Sequence, residues 1–320
     1  MNDRTSPATL SDMSIAAVER DTGIPKDTLR VWERRYGFPM PLRDALQERL
    51  YPVDQVKKLH LIKRLMAAGH RPGRIVARPV EELQALARES LQASTPPAAV
   101  RAIDALKSGS KHYLRLVKQH DAERLKRELM QAQMRLGLGR FVTEIVAPLV
   151  ADVGQAWMRG DLEIFEEHQF SETLHRVLRA AISAVPGPES AEAARPRVLL
   201  TTIPHEPHGL GLLMAEAMLA LEGCHCVSLG VQTPVSSMLL AAQAHHADVL
   251  ALSFSALPTQ TQVLEALAEL RSRLPETIEV WAGGSSPALR RAPNGVRIAR
   301  ELTSLPDAIR TWRQTHSPVS

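Results

Sequence analysis

The sequence predicts a multidomain chain: an α-helical winged helix-turn-helix, a four-helix bundle and an α/β doubly wound, flavodoxin-like domain. Three observations predict it. From Ile15 to Ile75 a helical period is broken by "DTGIP"; from Ala98 to Val185 no strand signal occurs; from Arg197 onward short apolar runs alternate with amphipathic stretches. At 320 residues with 44% hydrophobic content, the chain is long enough for about two or three cores.

Taken in order, residues 1–12 form a polar tail. "MNDRTSPATLSD" lacks a basic region followed by an apolar one, and no apolar run reaches membrane-spanning length, so a cytoplasmic protein with no membrane partner is expected. Within 13–80, Gly23 and Pro25 mark a tight turn between two short helices. The second helix, "KDTLRVWERRYG", sets Arg30, Arg34 and Arg35 beside Trp32 and Tyr36, so one face can pack while another offers guanidinium groups to phosphates and base edges. Gly37 ends it, "FPMPLRDALQERLYP" reads as an extended wing, and "VDQVKKLHLIKRLMAAG" resumes the helical period. The net charge is only +4, yet the pI is near 9.3 and Arg and Lys concentrate before residue 75. A basic module on a near-neutral body points to nucleic acid. Cys224 and Cys226 are the only cysteines, which excludes a disulfide framework and an all-cysteine zinc site.

Residues 81–97 read as a helix running into a linker broken at Thr95–Pro97. The bundle, 98–187, is drawn as helices at about 98–108, 111–135, 138–159 and 162–185, punctuated by Gly109, Gly137 and Gly160. "PGPESAEAARP" then supplies a linker, 188–196. In the last domain, 197–316, the strands "RVLLTTI", "HCVSLG", "DVLALSFS", "EVWAGG" and "VRIA" are each expected to precede a helix, which argues a parallel sheet covered on both faces.

Ligands in such folds sit beyond the carboxyl ends of the strands. That rule brings Glu206, His208 and Gly211 of "EPHGLG", Ser253 with Ser255, and Gly283 with Gly284 to one rim. Glycines would let backbone approach a large planar ligand closely. A histidine between them could ligate a metal at that ligand's centre, with Glu206 placed to hold its other ring nitrogen.

Across its first module, "AAVERDTGIPKDTLRVWERRYGFPMP" through "ERLYPVDQVKKLHLIKRLMAAGHRPGRIV", the chain resembles the MerR family of transcription regulators. The resemblance implies that Thr28, Arg30, Arg34, Arg35, Tyr36, Arg43, Arg49 and Tyr51 lie at double-stranded promoter DNA. At the wing tip "ALQ" stands where a glycine is usual.

The three rim blocks resemble the cobalamin signature Asp-x-His-x-x-Gly, Ser-x-Leu and Gly-Gly of methionine synthase and the base-off mutases. This implies that His208 replaces the cofactor's dimethylbenzimidazole as lower cobalt ligand, that Glu206 stands for the Asp, that Ser253 touches the nucleotide tail, and that Gly283 and Gly284 line its slot. Ser255 replaces the usual Leu. On residue type alone, Trp157 and Ile164 of "WMRGDLEIFEEH" read as core and Glu167 with His168 as surface. The stretch resembles, however, the cap of adenosylcobalamin-dependent, light-responsive MerR regulators of the CarH and LitR type, which implies that Trp157 packs on the adenosyl group and that Glu167 and His168 bound its pocket. Met158 stands where well-known members carry a histidine that takes the cobalt after illumination. The expected function is therefore non-enzymatic: a repressor that senses adenosylcobalamin and light and forms a homo-oligomer, dimer or tetramer. Three alternatives remain open at this point: a regulator whose cobalamin domain is a light-independent ligand or interaction module, a corrinoid-dependent enzyme subunit, and a domain that carries haem or another tetrapyrrole on His208.

Overall fold

The computed structural model describes residues 12–44, 47–67, 69–92, 110–187 and 194–316. They fall into two compact units, one comprising the chain up to Pro97 with Gln155–Asp161, the other Ala98–Gly154 with Leu162–Ser320. The linker around residues 95–97, the helix expected at 98–108 and most of the 188–196 linker lie outside the described residues.

In the first unit, β1 (Met13–Ser14) leads into α1 (Ile15–Thr22), whose cap Ser14 accepts from Ala17 N–H at 3.3 Å. Ile24, 2% exposed, plugs the turn into α2 (Lys26–Tyr36), which buries Leu29 and Trp32. The wing strands β2 (Leu42–Arg43) and β3 (Arg49–Tyr51) pair antiparallel, and β1 adds a third strand on the far side of β3. Two wing-tip residues, 45 and 46, lie outside the described set; Gln47 at its end takes a positive φ of 63°. Then come α3 (Val53–Ala67), α4 (Pro72–Ile75) and α5 (Val80–Gln92), which close the core with Leu59, Ile62, Ile75 and Leu83.

The second unit opens with helix α6 over 110–118. The single helix expected at 111–135 is in fact two: His120 takes a left-handed φ of 56°, and Asp121 restarts the chain as the cap of α7 (Ala122–Leu136), accepting from Arg124 N–H at 3.0 Å. A non-glycine residue in that conformation leaves the apolar spacing intact, so the break is silent in the sequence pattern. The next helix runs as expected from Leu138 to Arg159, as α8 (Leu138–Arg140), a π-helical Phe141–Val146 and α9 (Ala147–Arg159). After Leu162, α10 (Ile164–Ser183) starts at a reciprocal capping box between Glu163 and Glu166.

Five parallel strands follow: β4 (Arg197–Thr201), β5 (His225–Gly230), β6 (Val249–Phe254), β7 (Glu279–Gly284) and β8 (Val296–Ala299), in the order β5-β4-β6-β7-β8. The connecting helices are α11 (Leu210–Leu221), α12 (Val235–Ala244) and α13 (Gln260–Arg273), with α14 (Leu305–His316) last. α11 packs with α14, and α12 with α13, giving the two covered faces of a doubly wound sheet. One helix expected between β7 and β8 is absent; Pro287–Arg291 make only a 3-10 turn, because Pro287 and Pro293 leave too few donors to propagate a longer one. α10 lies against α11, which explains why α11 is apolar nearly all round: it is covered by the sheet on one side and the bundle on the other.

Candidate functional site

The strand order reverses between β4 and β6, and the loop after β4 opens at that switch point. Thr202 anchors it: its hydroxyl donates to the Glu206 carbonyl at 2.6 Å and accepts from Gln232 N–H at 2.8 Å, tying this loop to the one after β5. His205, at a positive φ of 70°, turns the chain so that Glu206 N–H reaches the Ile203 carbonyl. Glu206 is thereby driven inward, to 0% exposure. One carboxylate oxygen accepts from the His208 backbone at 3.1 Å and from His208 Nδ1 at 2.7 Å; the other accepts from Ser255 N–H at 2.6 Å.

Burial alone would raise the Glu206 pKa, but the bonds from His208 and Ser255 outweigh it and hold the carboxyl below the usual range. An ionised Glu206 fixes Nδ1 as the protonated nitrogen of neutral His208. The bond to Glu206 likewise outweighs desolvation at His208 and raises its pKa, and the Glu167 carboxylate of α10 adds to the shift. The His208 side chain is 58% exposed and its Nε2 makes no hydrogen bond to the described residues. The dyad thus presents one oriented lone pair outward. Among the described residues, no three His, Cys, Asp or Glu side chains gather to hold a bare metal ion. A single imidazole suits a metal whose other positions are already filled by a macrocycle.

Below this rim a cavity of about 140 Å³ runs into the domain, lined among others by Gly211, Leu219, Ser253, Trp281, Gly283 and Gly284. A Cβ at Gly211 would collide with Ser253 Oγ, and one at Gly284, whose φ is 110°, would collide with the Phe254 carbonyl. Ser255 is not part of this lining: its N–H goes to Glu206, and its hydroxyl accepts from Leu257 N–H at 3.0 Å. On α10, the Glu167 carboxylate receives the Ser171 hydroxyl at 2.6 Å and contacts His168 Nδ1 at 2.8 Å, while Ile164 is half-buried and His168 is exposed. About two and three turns further along α10, His175 approaches Gly209 and Arg179 pairs with Glu216 of α11. Trp157 and Met158, half-buried on the last turns of α9, fall in the first unit.

In that first unit, Arg30, Arg34, Arg35 and Arg43 are exposed, and Thr28 and Tyr36 half-exposed. Arg30 bonds Asp27 and the Arg35 guanidinium lies over the Tyr36 ring. Arg49 is less free, paired with Glu33 at 3.0 Å. Tyr51 corrects the expectation that it meets DNA: it is 0% exposed within the core, its hydroxyl buried and without a hydrogen-bond partner, and burial raises its pKa. In β3 it points inward beside Leu29 and Trp32, so in this fold it cannot reach a phosphate.

Residues 13–77 match the MerR HTH family regulatory protein model, and two B12 binding domain models match 110–182 and 196–297. The chain is a transcriptional regulator of the MerR type with B12-binding domains. This regulator is 27% identical over 275 residues to the HTH-type transcriptional repressor CarH of Myxococcus xanthus, covering 84% of this chain and 88% of that protein. To the repressor CarA of the same organism it is 28% identical over 243 residues, 76% of each chain. A solved monomethylamine corrinoid protein from Methanosarcina barkeri is similar over 63% of this chain and 96% of its own, at 17% identity and a TM-score of 0.49. The residues of the regulator's α/β domain fit a cobalamin: an oriented imidazole at the rim, and beside it a cavity bordered by Ser253, whose hydroxyl takes the space that Gly211, lacking a Cβ, leaves free. Thr202, His175 and the slot wall Trp281 were not singled out from sequence. Thr202 sits in the "TTIPHEPHG" run, directly after the strand, where a hydroxyl that ties down a loop is a recognisable turn signal.

Among the described residues, no helix is long and apolar enough to cross a membrane.

Proposed function

We propose that the regulator is a DNA-binding repressor that senses adenosylcobalamin, and light through it. The observation that carries the reading is the Glu206–His208 dyad above the Gly211–Ser253 slot. His208 Nε2 is assigned as lower cobalt ligand; Glu206 holds the ring in the tautomer that leaves Nε2 unprotonated and makes it a better donor. Ser253, Gly283 and Gly284 are assigned to the nucleotide tail, and Ser255 to the support of Glu206. Bound adenosylcobalamin supplies a cobalt–carbon bond that green light breaks.

The adenosyl form is assigned from the Trp157, Ile164, Glu167 and His168 pattern, in which Glu167 is already oriented by Ser171 and His168. Holding the cofactor between α10 and the His208 loop would order the bundle over the α/β domain and favour a homo-oligomer, whose several DNA-binding modules add avidity. Repression is the activity named for CarH and CarA, and it is the role proposed for this chain. No catalytic role is assigned. Thr28, Arg30, Arg34, Arg35, Tyr36, Arg43 and Arg49 are assigned to DNA, in the cytoplasm.

The test is an absorption spectrum of the full chain with adenosylcobalamin in the dark and after green light. The reading expects a base-off, histidine-bound spectrum in the dark and a changed one after illumination. A base-on dark spectrum, or no binding, contradicts it.

A further inference from the structure

Every fourth residue along one side of α10 is polar: Glu167, Ser171, His175 and Arg179. Three of them are satisfied within the protein. Glu167 accepts from the Ser171 hydroxyl at 2.6 Å, and Arg179 pairs with Glu216 of α11 and reaches Ser228 Oγ at 3.4 Å. His175 is satisfied at one nitrogen only. Its Nδ1 donates to the Ser171 carbonyl at 2.8 Å; a carbonyl can only accept, so Nδ1 carries the proton and the neutral ring keeps Nε2 as a bare acceptor. Nε2 makes no hydrogen bond to the described residues, yet the side chain is half-buried and held in place. It lies 3.5 Å from the point where a Cβ would stand on Gly209, the residue next to His208. The other neighbour of that point is apolar, Val231 Cγ1 at 3.2 Å.

We propose that His175 Nε2 accepts a hydrogen bond from a propionamide on the lower face of the corrin, so that the site selects fully amidated corrinoids over those with a free carboxylate at that position. The inference rests on the assignment of His208 as lower ligand, made above, and adds a residue that reads the edge of the macrocycle. A corrin carries its propionamides on the side of the lower ligand and its acetamides on the opposite side. His175 stands beside the lower-ligand loop, so the propionamides are the groups within its reach. An amide N–H₂ donates to a bare imidazole nitrogen. A carboxylate has no proton to give, and would set its lone pairs against that of Nε2. It would also add negative charge to a rim that already holds Glu206 and Glu167. Leaving a half-buried acceptor facing an acceptor weakens binding by about tenfold or more.

The experiment titrates the full chain in the dark, at about pH 8 where free imidazoles are neutral. The ligands are adenosylcobalamin and its three monocarboxylic acids, in each of which one lower-face propionamide has become an acid. One acid should bind the parent at least about tenfold more weakly than cobalamin, with the histidine-bound spectrum retained. His175→Phe keeps a ring of similar size and removes the acceptor; cobalamin should then bind no better than that acid. His175→Lys puts a cation at the same place and should reverse the preference, which a residue that only packs would not do. Equal affinity of the parent for all four corrinoids, with the histidine-bound spectrum present, overturns the proposal and leaves His208 as ligand. Discrimination that persists unchanged in His175→Phe gives the amide to another residue and also overturns it. Binding of cobalamin to the parent without a histidine-bound spectrum overturns the His208 assignment, and the proposal with it.

Discussion

The His208 loop and the exposed face of α2 are built on opposite principles. Around His208 every supporting group is spoken for: Glu206 is fully buried and accepts three hydrogen bonds, Thr202 joins two loops, and Ser255 closes the carboxylate from the far side. On α2, Arg34 and Arg35 stand in solvent on a helix held by the burial of Leu29 and Trp32 behind them. The first arrangement fixes one atom, His208 Nε2, in one direction. The second supplies charge over an area and leaves the partner to set the final geometry. A lesion in the loop should therefore be close to all-or-none, whereas a lesion on the helix should subtract one contact among several.

The largest expected effect follows from removing the fixed atom. His208→Ala should abolish the histidine-bound dark spectrum and weaken cobalamin binding by more than about 100-fold, read by absorption titration, with DNA binding by the cofactor-free chain unchanged. Next comes the support. Glu206→Gln keeps the shape but turns one acceptor into a donor facing either His208 Nδ1 or Ser255 N–H, so an affinity loss of about 10- to 100-fold is expected with the spectrum still histidine-bound. If that variant bound as tightly as the parent, Glu206 would not be what holds the His208 ring in place.

On the helix side, Arg34→Ala should weaken operator binding by about 1–3 kcal/mol and lower the slope of log affinity against log salt by about one, without touching the cobalamin spectrum. Tyr51→Phe should sharpen the contrast from within the same module. Its hydroxyl is buried and unpartnered, so DNA affinity should not change and thermal stability should rise by up to about 1 kcal/mol. A loss of DNA binding on removing that hydroxyl would return Tyr51 to the interface.

A second buried carboxylate shows that burial alone does not make a site. Glu216, in the apolar run of α11, is 7% exposed, and burial raises its pKa despite the Arg179 guanidinium beside it. An acid whose folded pKa is raised costs stability once it ionises, above that pKa; the cost disappears as pH falls below the ordinary value of 4.5. Glu216→Gln should accordingly be neutral or slightly stabilising at pH 7 and without effect near pH 4, in paired thermal melts. Glu206 is more deeply buried and shifts the other way, because three donors converge on it.

Much of the loop was legible in the sequence because its chemistry depends on residue type and spacing. Glu206-x-His208-x-x-Gly211 states an acid, a ligand and a close approach in six residues, and the strand-end rule places them on one rim with Ser253, Gly283 and Gly284. What stayed hidden lacks such a signature. The slot walls Leu219, Trp281 and Leu302 are apolar residues like any in the core, and only the folded packing of α11, β7 and the turn after β8 reveals them as lining. Tyr51 follows two residues after Arg49 in a three-residue strand, too short for alternation to say which way the ring faces. The turn at His120 rests on a conformation that non-glycine residues rarely adopt, and the lost helix before β8 on two prolines whose effect on length needs the chain path. β1 has two residues and pairs only through the fold.

If the two regions act as one device, the cofactor at His208 controls DNA binding by the α2 module. Operator affinity of the full chain, measured at one salt concentration without cofactor, with adenosylcobalamin in the dark, and after green light, tests it most directly. Binding should be strengthened by adenosylcobalamin in the dark and returned toward the cofactor-free value by light, with His208→Ala indifferent to both treatments. Equal operator affinity in all three conditions, in a chain whose spectrum shows the cofactor bound, would contradict it.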